Sequence, residues 1–246
     1  MAKPSTVVFL PGLLCDESIF AAQRAALEPY VDVAVADFSE HASLEGMAHA
    51  ALALREGPLA VVGHSMGARV AFEMIRLAPD RVARLCLMDT GAHPRREGEE
   101  PQRQALVDLA YEQGMAALAD RWLPPMVHED RIHEQALMEP LRAMVMRASP
   151  EQHEHQIRAL LARPDARPLL PTIACPTLVM VGRQDRWSPV SQNEEIVRLI
   201  PDAEFLVIEG SGHMLPVERP DEVSRALLAW LGLPIASEGA HRAVGG

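Results

Sequence analysis

Two glycines flank a serine in Gly63-His64-Ser65-Met66-Gly67. An apolar run (residues 59–63) precedes this segment, and Ala68, Ala71, Phe72 and Ile75 follow it at helical spacing. A sharp turn from strand to helix strains the serine backbone, lifts its Oγ above the sheet edge, and leaves no room for larger residues at positions 63 and 67. A serine hydroxyl is a weak nucleophile until a base takes its proton and a third group orients the base. Of ten histidines, His213 in Gly210-Ser211-Gly212-His213-Met214 is the one on a glycine-rich loop after a strand-like run, and it is the candidate base. The candidate orienting acid is Asp185, just past the run at 177–182, with Asp89 past the run at 84–88 as its competitor. Developing negative charge on a substrate oxygen needs aligned donors. The N–H of Met66, at a helix start, and that of Leu13, after the tight turn Pro11-Gly12, fit that need. Together these groups predict acyl transfer to water through an acyl-serine.

Around them, Leu14, Trp187 and Met214 are candidate pocket residues, and the apolar neighbours of the serine predict a largely hydrophobic acyl pocket of modest size. His64 reads as a supporting residue rather than the base. His153 and His155 are two apart on a helix and cannot share a face, so no metal site is expected. Arg95–Arg96 beside the acidic residues 97–100 reads as a solvated hinge, with attraction of an anionic substrate as the alternative. Lys3 is the only lysine, which removes a phosphate-loop lysine and a Schiff-base mechanism.

The elements that must position these groups follow from periodicity. Short β-branched runs at 6–10, 31–36, 59–63, 84–88, 177–182 and 204–208 alternate with helical patterns, as in a parallel sheet with helices on both faces. Asp16, Ser43 and Pro220 mark helix starts for segments 17–27, 44–55 and 220 onward. Residues 92–171 contain no strand-like run, only helical pattern broken by Pro101, Pro124–Pro125, Pro140 and Pro150. The expected organisation is therefore a core of residues 1–91 and 172–233, a helical cap insertion at 92–171, and a flexible tail at 234–246.

Composition narrows the partners. The 246 residues are 48% hydrophobic and carry a net charge of −11, from 34 acidic and 23 basic side chains. Such a chain builds a core without metal or disulfide, and its acidity argues against nucleic acid and membrane surfaces. Cys15, Cys86 and Cys175 are odd in number and far apart, and read as buried hydrophobes of a reducing, cytoplasmic compartment. No signal-peptide h-region or spanning segment is read.

The chain resembles the α/β-hydrolase superfamily, specifically compact serine hydrolases with a helical cap. The resemblance rests on the strand before Pro11-Gly12, the Gly-His-Ser-Met-Gly elbow, Gly182-x-x-Asp185-x-x-x-Pro189, and Gly212-His213. It implies a nucleophile at Ser65, an acid at Asp185, a base at His213, and oxyanion N–H groups at Leu13 and Met66. Two departures stand out. Pro11-Gly12 replaces the His-Gly of many relatives, and no antiparallel hairpin precedes the first strand. A shortened sheet of about six parallel strands follows, with no cofactor. The implied substrate is a small-molecule ester, thioester or lactone with a largely apolar acyl group. C–C bond hydrolysis, cofactor-free perhydrolysis and slow-turnover ligand reception are the alternatives on the same residues.

Overall fold

The structure, a computed structural model, describes residues 6–235. Lys3 and residues 236–246 of the expected tail lie outside them. Six strands form one parallel sheet: β1 (Thr6–Leu10), β2 (Asp32–Val35), β3 (Leu59–His64), β4 (Val82–Met88), β5 (Thr177–Gly182) and β6 (Glu204–Ile208), in spatial order β2-β1-β3-β4-β5-β6. Every residue of β1, β3 and β5 is buried, so helices cover both faces of the sheet centre. Burying each Val or Leu there contributes about 1.5–3 kcal/mol. The chain leaves β1 to one side for β2 and returns to the other side for β3. This reversal opens a crevice above the carboxyl ends of β1 and β3.

Helical structure begins at residues 17, 44, 66 and 220 as expected, the first of these as a 3-10 turn. The segment after Asp16 splits into a 3-10 turn (Glu17–Phe20) and α1 (Ala21–Leu27). α2 (Leu44–Ala53) is capped by Ser43, whose Oγ accepts the Gly46 N–H, and it ends two residues before the expected boundary. α3 (Met66–Leu77) carries the elbow's second half.

Between β4 and β5 lie α4 (Glu99–Trp122), α5 (Gln135–Arg147) and α6 (Pro150–Leu161). The prolines expected to break this region mostly do otherwise. Pro101 sits in the first turn of α4 and Pro150 opens α6 at its first position, where the missing N–H has no partner to lose. The break in α4 is instead at Gly114, with φ 84° and ψ 170°. After β5 come α7 (Val190–Leu199), the short turn α8 (Leu215–Glu218) and α9 (Pro220–Leu231), which ends on Gly232 in the left-handed conformation. Among the described residues no helix is long and apolar enough to cross a membrane, and the three cysteines are free.

Candidate active site

Ser65 stands between β3 and α3 with φ 53° and ψ −110°, a conformation that serine adopts only under constraint. The constraint is visible on both sides. The Ser65 N–H donates to Met88 O (2.9 Å), and Thr90 Oγ1 donates to Ser65 O (3.1 Å). A Cβ on Gly67 would stand 1.9 Å from Leu10 O, and one on Gly63 would stand 2.6 Å from Ala68 Cα. Only glycine lets β1 and the start of α3 approach this closely.

His213, on the loop after β6, places Nε2 2.8 Å from Ser65 Oγ and Nδ1 2.8 Å from Asp185 Oδ2. Asp185, on the loop after β5, accepts the Trp187 and Ser188 N–H groups on its other oxygen, at 2.7 and 2.8 Å. Burial drives the Asp185 carboxyl upward, but the His213 ring and these two amides outweigh it and hold the pKa below the usual carboxylate value. An ionised acid therefore faces the imidazole.

Asp89, the competing acid, does not reach His213. It is fully buried and accepts the Gly182 N–H (2.9 Å) and the Leu215 N–H (3.3 Å), tying the end of β5 to α8. Burial, then the neighbouring Asp185 charge, push its pKa well up. His64 is buried beneath His213, with Nε2 2.7 Å from His213 O. Burial, then the His213 ring, lower its pKa to about 3, so the neutral ring donates its Nε2–H to that carbonyl.

Two positioning residues were not read from the sequence. Glu218, at the end of α8, accepts the N–H groups of Gly212 (2.9 Å) and Met214 (3.2 Å) with Oε1, and that of His128 (2.9 Å) with Oε2. It thereby clamps the loop on both sides of His213. Gln156 of α6 accepts the Leu14 N–H at 2.9 Å, which ties the helices after β4 to the turn after β1. Glu218 has a faint signal, an acid five residues past the histidine in an apolar setting. Gln156 has none, because 142 residues separate it from Leu14.

A chamber of about 1500 Å³ opens over Ser65. Leu13, Met66, His213, Met214 and Trp187 line it, while α4 forms the facing wall. Leu14 does not line it. Leu14 is 1% exposed with φ 58°, and it belongs to the core under the turn. Trp187 lines the chamber as expected and also holds the Arg103 guanidinium 5.6 Å from its ring centroid. The chamber is larger than the modest pocket expected, and α4 and its flanks add charged side chains to its lining. Arg95 pairs with exposed Glu100 outside the chamber, whereas Arg96 and Glu97 line it. Among the described residues no group of histidine, cysteine or acidic side chains has the arrangement of a metal site.

Comparison with known proteins agrees with this architecture. Residues 7–226 match the model of the alpha/beta hydrolase family. Over 190 residues the chain is 30% identical to the dihydrolipoyllysine-residue acetyltransferase component of an acetoin cleaving system from Pseudomonas putida, across 70% of this chain and 45% of that protein. It is 29% identical over 178 residues to a 2-hydroxy-6-oxononadienedioate/2-hydroxy-6-oxononatrienedioate hydrolase from Paraburkholderia phymatum, across 70% of this chain and 62% of that one. The match thus spans less than two thirds of each of these curated relatives. Among solved structures, a thermophilic esterase from Thermogutta terrifontis with malate bound superposes with a TM-score of 0.87 at 31% identity, over 94% of this chain and 91% of that one. The enol-lactonase from Burkholderia xenovorans shares the fold, with a TM-score of 0.84 at 24% identity over 94% and 92% of the two chains.

Proposed function

Because the chain belongs to the alpha/beta hydrolase family, we propose that it is a serine hydrolase that cleaves an ester, thioester or lactone through an acyl-serine. The observation that carries this reading is the unbroken hydrogen-bonded line from Ser65 Oγ through both ring nitrogens of His213 to Asp185.

In the first half-reaction Ser65 Oγ attacks the substrate carbonyl while its proton passes to His213 Nε2. The backbone N–H groups of Leu13 and Met66 receive the oxyanion, and each such donor typically contributes ~3–4 kcal/mol. Asp185 keeps the proton on Nδ1 and stabilises the imidazolium. Collapse of the tetrahedral species breaks the bond to the leaving group, which takes the proton from His213. Water then attacks the acyl-serine, with His213 again taking the proton, and the acid is released. In this reading residues 92–171 form a cap that shelters the reacting carbonyl from bulk water, and Trp187 and Met214 bound the acyl group.

Ser65→Ala is expected to lower kcat about 10³-fold or more on a short-chain ester while leaving the thermal melt close to that of the parent chain. Unchanged turnover would remove the mechanism. C–C bond hydrolysis is the second reading. It is favoured by the similarity to the Paraburkholderia hydrolase, and a panel containing both an ester and a vinylogous diketone separates the two.

A further inference from the structure

Six arginines line the chamber, namely Arg69, Arg96, Arg103, Arg121, Arg163 and Arg186. Only three carboxylates join them (Glu97, Glu99 and Asp120), although the whole chain is acidic with a net charge of −11. Asp120 is itself engaged by Arg142, outside the chamber lining.

The inner arginines differ in what holds them. Arg163 is saturated. It donates to both oxygens of Glu99 and to the carbonyls of His93, Pro94 and Leu160, which is a structural tie between α6 and the segment after β4. Arg103 shares the same Glu99 through Nε (2.7 Å) and lies over Trp187. Arg69 donates one hydrogen bond, from Nη1 to His93 O at 2.9 Å, and among the described residues it has no ion pair. Two of these guanidiniums share Glu99, and the third, on α3, forms no ion pair among the described residues. Burial, then Arg163 and Arg103, bring the Arg69 pKa down to about 9. Glu99 acts on Arg69 only from a distance, and a cation largely withdrawn from water without a paired carboxylate is costly unless something anionic meets it.

Position defines what that anion is. Arg69 lies four residues past Ser65, one helical turn or about 6 Å along the axis. Its guanidinium therefore borders the same space as the nucleophile. Gln192 and Arg69 come together beside Gly91, where a Cβ would stand 2.4 Å from Gln192 Oε1 and 3.6 Å from Arg69 Nη2. Gln192 lines the chamber too and brings a carboxamide to the same corner. A planar guanidinium fork matches a carboxylate in bidentate geometry. The phosphates of a coenzyme A thioester lie at the far end of the pantetheine arm, well beyond one helical turn from the reacting carbonyl.

Resting on the serine-hydrolase reading above, we propose that Arg69, with Arg103 beside it, anchors a free carboxylate carried by the substrate a few bonds from the carbonyl that Ser65 attacks. The substrates are accordingly anionic esters or lactones rather than the apolar acyl esters that the residues nearest Ser65 suggest.

The test compares kcat/KM for monomethyl glutarate and monomethyl adipate, with the carboxylate on the acyl side, and for 3-acetoxypropanoate, with it on the alcohol side. Their neutral counterparts are methyl pentanoate, methyl hexanoate and propyl acetate. At least one anionic ester is expected to exceed its counterpart tenfold or more. Arg69→Gln is expected to bring that ratio to near one, and Arg69→Lys to leave it between the two. A ratio near one in the parent chain, or one that Arg69→Gln leaves unchanged, overturns the anchor while the hydrolase reading stands. Calorimetry of glutarate and adipate against their diamides needs no turnover. Dicarboxylate binding tenfold tighter than diamide binding, weakened in both Arg69 variants and at high salt, supports the anchor even if no ester is cleaved. Equal binding overturns it. Loss of turnover on every ester in the parent chain overturns the hydrolase reading instead.

Discussion

At the scale of single residues, two carboxylates stand at the ends of adjacent strands and meet different fates. Asp185 keeps its charge because the imidazole and two amide N–H groups compensate burial, whereas Asp89 is buried beside another acid, with two amide N–H groups and the neutral His64 ring 3.7 Å away. Asp185→Asn is therefore expected to lower kcat by about 10²–10⁴-fold, since an amide cannot hold the imidazolium or fix its tautomer. Asp89→Asn is expected to stay within about tenfold in kcat. It should lose about 1–3 kcal/mol of stability, because one carboxamide oxygen cannot serve both Gly182 and Leu215 as well as two carboxylate oxygens do. Denaturant titration and steady-state kinetics on the pair check this; a kcat loss for Asp89→Asn as large as that for Asp185→Asn would show that the strand-end acids share the work. Both positions were readable as acids after strands. Which one meets the histidine was not, because that depends on how two loops from separate strands lean together.

At the scale of elements, the helices between β4 and β5 are tied to one another by buried polar groups, chief among them Glu99 of α4, which pairs with Arg103 on the same helix and with Arg163 just past α6. Burial raises the Glu99 pKa, but the hydrogen bonds from Arg163, the Arg96 N–H and Arg103 prevail and bring it from 4.5 to about 2. A carboxyl depressed in the folded state contributes stability that is complete above its unfolded value and is lost as pH falls through the folded one. That contribution, on the order of 2 kcal/mol with a side chain 15% exposed, should disappear between pH 4.5 and 2. Glu99→Gln is expected to melt at lower temperature than the parent at pH 7, with the gap narrowing toward pH 2. A gap that stays constant across thermal melts from pH 7 to 2 would assign the tie to packing rather than charge. The periodicity of these helices was legible, but their boundaries were not. Pro101 and Pro150 look like breakers and act as helix starts, while Gly114, which breaks α4, looks like a tolerated glycine.

At the scale of the whole molecule, the chamber brings together parts of the chain from Leu13 to Met214. Its chemistry belongs to no local segment. An enzyme and a slow ligand receptor share this arrangement, and turnover separates them. Steady hydrolysis of the preferred ester is expected above about 1 s⁻¹, whereas negligible turnover with ligand-dependent movement of α4–α6 would indicate reception. Stopped-flow kinetics with amide exchange on the same helices reads both. The sequence alone determined the parallel α/β sheet, the strained elbow at Ser65, and the strand-end positions of Asp185 and His213. Those features arise from local sterics, strand periodicity and the shared direction of parallel strands. The tertiary structure alone decided that Asp185 rather than Asp89 meets His213, that Glu218 and Gln156 brace the loops, that Leu14 belongs to the core, and that Arg69 faces the chamber with no ion pair among the described residues. Each of these depends on side chains from remote segments sharing one low-dielectric space, and neither backbone propensity nor local spacing encodes that proximity.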